Sequence, residues 1–371
     1  MPHRLAVACM LLLLSGCSAA QAPGAPTGWT YLGGSEVRSG FSFAGTVVGG
    51  LSGITYDPGR GVYYVISDDR SAKNPARFYT VRIPFADNRF DEVQWVSSTV
   101  LRDVDGEPYA PLDADARPPV IPPDPEGIAF DARRQQLFWS SEGARDVENA
   151  ERPLLLDPWV RLAGLDGGYR GRYPLPPGLA MSAQPSGARA NAALEGLTLT
   201  PDGTALFAGM EGPTFADGEP PTGSHGALTR ITRYDTATGE PAAQYAYPVD
   251  PVTAGGDGDN GLSDLVALDG DTFLVVERGY GDRVSARVYR ASTAGADDVI
   301  GRSSLGAGPP VAAMRKELVV DLTAVPGIGH LDNVEGMTLG PKLSDGRQSV
   351  VLVTDDNFSP RQVTQFHLFA M

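Results

Sequence analysis

Carboxylates set sixteen residues apart are the first chemistry this sequence offers. The stretch "LEGLTLTPDGTALFAGMEG" carries Glu195-Gly196 at one end and Glu211-Gly212 at the other, with Pro201-Asp202-Gly203 between them. An antiparallel hairpin turning about Gly203 would set Glu195 opposite Glu211, because residues equidistant from a turn pair across it. The same offset links Glu126 with Glu142 and Ser52 with Asp68. Directly opposed side chains have Cβ atoms about 4.5–5.5 Å apart, and like charges there are destabilising. So unfavourable a pairing, repeated at equivalent places, calls for a positive group between the carboxylates.

The elements that must position these acids recur along the chain. Five segments share one plan: a small or acidic residue, usually a glycine, an alternating apolar strand, a turn, and a second strand ending in acids. They begin at Leu51, Pro125, Leu194, Leu262 and Val334, and their markers Ser52, Glu126, Glu195, Ser263 and Glu335 are spaced by 74, 69, 68 and 72 residues. Further β-branched and aromatic runs follow, such as "RFYTVRI" and "EVQWVSSTVL" after the first hairpin. Four strands per unit, repeated radially, make a β-propeller blade. The expected fold is all-β, a single propeller of five four-stranded blades, with six as the alternative. The fifth unit has only three strands, and "WTYLGGSEV" or "SFAGTVVGG" from the N-terminal side would complete it and close the ring.

In such a ring the motif acids and the ends of the second strands share one mouth of the central channel. That mouth is expected to gather Ser52 with Asp68 and Asp69, Glu126 with Glu142, Glu195 with Glu211, Asp264 with Glu277, and Glu335 with Asp355 and Asp356. Hard oxygen donors without cysteine select calcium or magnesium, and calcium suits ligands drawn from several blades. Its expected ligands are Asp68, Asp69, Glu126, Glu142, Glu195, Glu211, Glu277, Glu335, Asp355 and Asp356. The long connections, 103–124, 173–193, 212–226 and 248–261, emerge at the same mouth and would wall a pocket. Arg70, Arg145, Arg278 and Arg361 follow the acids and could hold a phosphate or carboxylate in bidentate fashion, or simply neutralise their neighbours.

Composition narrows the rest. With 45 Gly and 31 Pro in 371 residues the chain suits one turn-rich β domain. A formal net charge of −15 argues against nucleic acid and against an anionic membrane surface as partners. Residues 1–17 read as a lipoprotein signal peptide: Arg4, the apolar run Leu5 to Leu14, and Leu14-Ser15-Gly16-Cys17, which resembles a lipobox with Cys17 as the lipidated residue. The run is short of the roughly 20 apolar residues of a membrane span. Residues 18–28 read as a flexible tether and 29–371 as the propeller. The product would be exported and anchored to a bacterial membrane through the lipid alone, on the periplasmic side or at the cell surface, as a monomer.

The "SG" and "EG" hairpins, "SDDR", "DPEGIAF", "NVEGM" and the final "VTDDNF" together resemble the secreted bacterial family described as having the esterase-like activity of phytase. The resemblance runs from about Thr30 to the end of the sequence. It implies a propeller related to the calcium-dependent alkaline phytases and hydrolysis of phosphate or other esters, with a small anionic or ester substrate. The mechanism expected from the residues is attack on phosphorus by a water made acidic by calcium, with no covalent intermediate. Glu195 or Glu211 would take its proton, and Arg70 would stabilise the equatorial oxygens. No G-x-S-x-G, H-E-x-x-H or P-loop is present. Two other readings compete: a lactonase of the gluconolactonase type, and a non-enzymatic propeller lipoprotein that binds a partner or ligand.

Overall fold

The repeats predict a ring of four-stranded blades, and the computed structural model, which describes residues 1, 28–86 and 89–371, has five. The signal segment, Cys17 and the tether up to residue 27 lie outside the described residues. Blade 1 comprises Leu51–Asp57, Val62–Ser67, Arg77–Arg82 and Gln94–Val100. Blade 2 comprises Pro125–Asp131, Gln136–Ser141, Trp159–Gly164 and Tyr169–Tyr173. Blade 3 comprises Leu194–Leu199, Ala205–Met210, Ala227–Asp235 and Pro241–Val249. Blade 4 comprises Gly261–Ala267, Thr272–Gly279, Ser285–Ser292 and Arg315–Asp321. Blade 5 joins Asn333–Lys342, Gln348–Asp355 and Thr364–Ala370 to Thr30–Val37, which pairs antiparallel with the last of them and closes the ring. "WTYLGGSEV" therefore supplies the missing strand, and the six-bladed alternative is excluded. "SFAGTVVGG" instead forms the two-residue hairpin Ser42–Phe43/Thr46–Val47.

The first strands of the five blades pack against one another around the axis. Buried on both faces, the first two strands of a blade read as near-continuous apolar runs such as "QLFWSS", while the outermost strands of blades 1 and 4 are largely half-buried or exposed. One apolar cluster fills each gap between neighbouring blades. The gap between blades 5 and 1 is packed by Val351, Phe366 and Leu368 against Leu51, Val65 and Tyr79, so ring closure buries core and not only backbone.

The tight turns between first and second strands are set by one device. Asp57 accepts the N–H groups of Gly59 and Arg60 at 2.9 and 3.1 Å and binds the Arg60 guanidinium at 2.8 Å. Asp131 repeats this with Arg133 and Arg134 in blade 2. Asx turns of this kind let a short side chain replace backbone turn bonds. Pro58, Arg133, Pro201 and Lys342 from these turns rim an apolar cavity of about 630 Å³ at one end of the ring, so the long loops occupy the other.

Candidate functional site

Each inner strand breaks regular pairing at its motif residue. In blade 1 Leu51 faces Ser67 and Gly53 faces Ile66, leaving Ser52 as an extra residue. Ser263 and Glu335 are extra in the same way in blades 4 and 5. In blades 2 and 3 the pairs Glu126-Gly127 and Glu195-Gly196 lie inside the register shift. This corrects the expected pairing. Glu211 N–H donates to Ala193 at 2.7 Å, Glu142 N–H to Asp124 at 2.9 Å and Asp68 N–H to Gly50 at 2.7 Å, so none of these acids faces the motif residue across the ladder. A β-bulge re-aims the side chain of the inserted residue, and here it brings both carboxylates of a hairpin to one cavity without opposing them in the pleat. The glycine that follows has a separate reason: a Cβ on Gly127 would lie 2.5 Å from the Glu195 carbonyl of the next blade.

Aligned by register, the bulge positions are Ser52, Glu126, Glu195, Ser263 and Glu335, and the positions ending the second strands are Asp68, Glu142, Glu211, Arg278 and Asp355. Ser52 and Ser263 turn to neighbouring backbone, donating to Pro125 and Glu126 carbonyls at 3.1 and 3.2 Å and to Val334 at 3.0 Å. The remaining acids form an acidic crown around a cavity of about 310 Å³ lined by eight carboxylates and two guanidinium groups. Carboxylate oxygens of Glu142, Glu195 and Glu211 lie within 4.8 Å of one another, and so do those of Asp124, Glu126 and Glu142.

Burial is the main force on the buried acids of this site, and it drives each of them away from its charged form. Glu126, Glu142 and Glu195 are held well above the usual carboxylate range by desolvation, reinforced by one another's charge and that of Asp124 and Glu211. Asp68 and Asp355 are raised for the same reason. Desolvation pushes Glu211 up to about 7 although Arg278 pulls it down, and Asp124 up to about 6 against the pull of Arg70. Arg278 is wedged between Glu211 and Glu335 at 3.1 Å each, with Asp259 at 3.7 Å. Asp355 Oδ2 and Asn333 Oδ1 are buried with no hydrogen-bond partner. Their residues are paired across blade 5, so two oxygen donors stand ready on one wall.

Seven of the ten expected ligands line this cavity: Asp68, Glu126, Glu142, Glu195, Glu211, Glu335 and Asp355. The other three do not. Asp69 points away into a salt bridge with Arg77 at 2.8 Å and accepts the N–H groups of Ala72, Lys73 and Asn74. Glu277 binds Tyr247, Asn260, Asp250 N–H and Lys316 outside the crown, and Asp356 accepts the N–H groups of Gly50 and Phe358. Asp264, expected beside Glu277, is buried between blades and accepts Met337 N–H at 2.7 Å. Arg70 and Arg278 reach the cavity. Arg145 does not, its Nε donating to Ser182 at 2.8 Å beside the Phe215 ring, and Arg361 is exposed outside it. Sequence reading missed Asp124 and Asn333, which stand two residues before the bulge in "DPEG" and "NVEG" and pair with Glu142 and Asp355. Aligning the repeats by register exposes that third position; aligning them by acid does not.

A family model described as "Phytase-like: Esterase-like activity of phytase" matches residues 46–358. None of the curated proteins matches. Among solved structures the fold is similar to hydrazine synthase of Kuenenia stuttgartiensis, with 13% identity and a TM-score of 0.34 over 86% of this chain and 61% of that one. It is also similar to exo-β-1,3-galactanase of Phanerochaete chrysosporium, with 10% identity, a TM-score of 0.44, and coverage of 90% and 64%. A third likeness is to the GH43_1 enzyme of Xanthomonas citri, with 10% identity, a TM-score of 0.44, and coverage of 86% and 87%.

Proposed function

The chain belongs to the phytase-like family, and we propose that it is a calcium-dependent hydrolase of phosphate esters acting at the acidic crown. The observation that carries this reading is the convergence of eight carboxylates, all but the exposed Asp259 buried or half-buried, on one cavity with only two guanidinium groups to offset them. The fit to a hard cation rests on the all-oxygen donor set and on the unpartnered oxygens of Asp355 and Asn333. Asp124, Glu126 and Glu142 would hold one cation and Glu142, Glu195 and Glu211 a second, with Glu142 common to both. When bound, the cation supplies a Lewis acid for the ester oxygens and lowers the pKa of a water.

The chain's own groups divide the remaining tasks. Glu211, which lines the cavity beside Glu195, would accept the proton of the attacking water. Arg278 sets the orientation of Glu211 and Glu335 by binding both. Arg70 is half exposed at the rim, ion-paired with Asp124 and 3.4 Å from Asn191, and is placed to hold an equatorial phosphate oxygen. Export and lipid anchoring through Cys17, with the propeller as a monomer, belong to the same proposal.

Turnover of 4-nitrophenyl phosphate, a carboxylic ester and a lactone, each with calcium or with chelator, tests the reading. Calcium-dependent release from the phosphate, lost in Glu195→Gln, is expected. A lactone or carboxylic ester turned over in preference would move the chemistry to a carbonyl, and turnover unaffected by chelator would refute the metal.

A further inference from the structure

A second cavity, of about 500 Å³, opens beside the crown and shares Arg70 and Asn191 with it. Its walls come from two of the long connections at this mouth and from a hairpin of blade 2. Pro111, Leu112 and Ile121 belong to the loop before blade 2, Leu154 to the short hairpin Ala144–Asp146/Leu154–Leu156, and Met181 to the loop before blade 3. Leu112 is 55% exposed, an apolar side chain held at the rim of an apolar hollow. Apolar walls with a few placed polar groups are the usual make-up of a small-molecule subsite. Resting on the hydrolase reading above, we propose that this cavity receives the apolar alcohol portion of the substrate, so that the ester hydrolysed is a phosphate monoester of an aryl or compact alkyl alcohol.

The shared residues fix the polarity of the complex. A phosphate held at Arg70 lies at the boundary of the two cavities, with the crown on one side and the apolar walls on the other. Hydrolysis then forms a bond from the water oxygen to phosphorus and breaks the bond from phosphorus to the ester oxygen. One water hydrogen stays on the phosphate; the other passes to Glu211 and ends on the released alcohol, which lies among Pro111, Leu112 and Leu154. A densely phosphorylated polyol is disfavoured by the same charges. Its additional phosphates would meet a lining of eight carboxylates, where Arg278 is already bound by three of them.

The test uses two variants at exposed wall positions, Ala190→Trp to fill the cavity and Leu112→Glu to place a charge at its rim, each checked for unchanged melting temperature. The ratio of kcat/KM for 1-naphthyl phosphate to that for glycerol 2-phosphate is expected to fall about tenfold or more in both, the size of effect that changes in an apolar pocket produce. Binding of 1-naphthylphosphonate, which cannot be hydrolysed at its carbon–phosphorus bond, is read in parallel by its own fluorescence and should weaken by a similar factor. An unchanged ratio and unchanged phosphonate affinity in an active enzyme overturn the subsite while leaving the hydrolase reading intact. Phosphonate binding that is lost in the variants, in a protein that hydrolyses none of the esters, upholds the subsite and overturns the hydrolase reading. Wild type preferring inositol hexakisphosphate over 1-naphthyl phosphate overturns the substrate class.

Discussion

Removing the cation should change both the stability of the protein and the sign of its pH dependence. Three carboxylate oxygens of Glu142, Glu195 and Glu211 lie within 4.8 Å of one another. At an effective dielectric of about 20, two unit charges at that distance repel by roughly 3.5 kcal/mol, and three such pairs by about 10 kcal/mol. That is comparable with the ~5–15 kcal/mol that holds a whole domain together, so without a cation the crown must keep protons. An acid whose pKa is raised on folding binds more protons in the native state than in the unfolded chain, and stability therefore falls as pH rises between the two values. For Glu211, moving from 4.5 to about 7, the loss is complete above pH 7 and amounts to roughly 3 kcal/mol.

Calcium reverses the sign because it binds the ionised form, and its affinity grows as the protons leave. At one hundred times its Kd it stabilises by about 2.7 kcal/mol. With an unfolding entropy near 2.1 cal/mol/K per residue, that is about 3–4 °C in Tm for a chain of 371 residues. Differential scanning calorimetry at pH 5.5, 7 and 8, with chelator or with calcium, reads all of this. The Tm in chelator should decline from pH 5.5 to 8, the Tm in calcium should not, and the gap should be widest at pH 8. Identical melting curves with calcium and chelator at pH 8 would refute the metal assignment. A gap of constant size across pH would refute the crown as its seat.

Two neighbours in "SDDR" should behave oppositely. Asp68→Asn removes a buried charge from the crown and should leave the calcium-free protein as stable as wild type or more so, while weakening calcium binding about tenfold or more in a titration. Asp69→Asn strips the fully buried Arg77 of its partner and should lower unfolding free energy by about 3–5 kcal/mol in denaturant with or without calcium. His367, buried and forced down to about 4 by desolvation, stays neutral in the fold while the unfolded imidazole protonates near 6.5. The native state is therefore penalised progressively as pH falls from 6.5 to 4, by up to roughly 3 kcal/mol. His367→Leu should flatten that limb of the stability curve and leave the region above pH 7 alone.

The ring was legible because each blade must supply the same four strands, and a steady spacing from Ser52 to Glu335 records that demand. The same mouth was legible too, since antiparallel strands return the end of the second to the start of the first. What the spacing concealed was the bulge. One inserted residue leaves composition and period untouched, yet it shifts every pair beyond it; with a turn centred half a residue before Gly203, this leaves Glu211 opposite Ala193 and not Glu195, two residues from the place that reflection about Gly203 gives. Alternation explains two of the three misplaced ligands. In "SDDR" and "TDDN" adjacent acids leave a strand on opposite sides, so Asp68 and Asp355 enter the cavity and Asp69 and Asp356 leave it. Glu277 is acidic but sits one residue short of the equivalent position, which register gives to Arg278 in its blade.

That substitution in blade 4 explains how a fivefold scaffold carries a site without fivefold symmetry. Four blades end their second strands in a carboxylate, and a fifth carboxylate there would leave Glu211 and Glu335 with no counter-charge. Arg278 binds both instead. Ser263, in the same blade, and Ser52, in blade 1, replace bulge carboxylates with hydroxyls that bond neighbouring backbone, which confines the densest oxygen donors to blades 2 and 3. Those are the blades whose preceding loops wall the apolar cavity, and Arg70, from blade 1, stands at the boundary with its charge engaged by Asp124. The departures from the repeat therefore turn a symmetric acidic ring into a site with a carboxylate-rich side, a cationic side and one apolar flank, the asymmetry that the proposed substrate orientation requires.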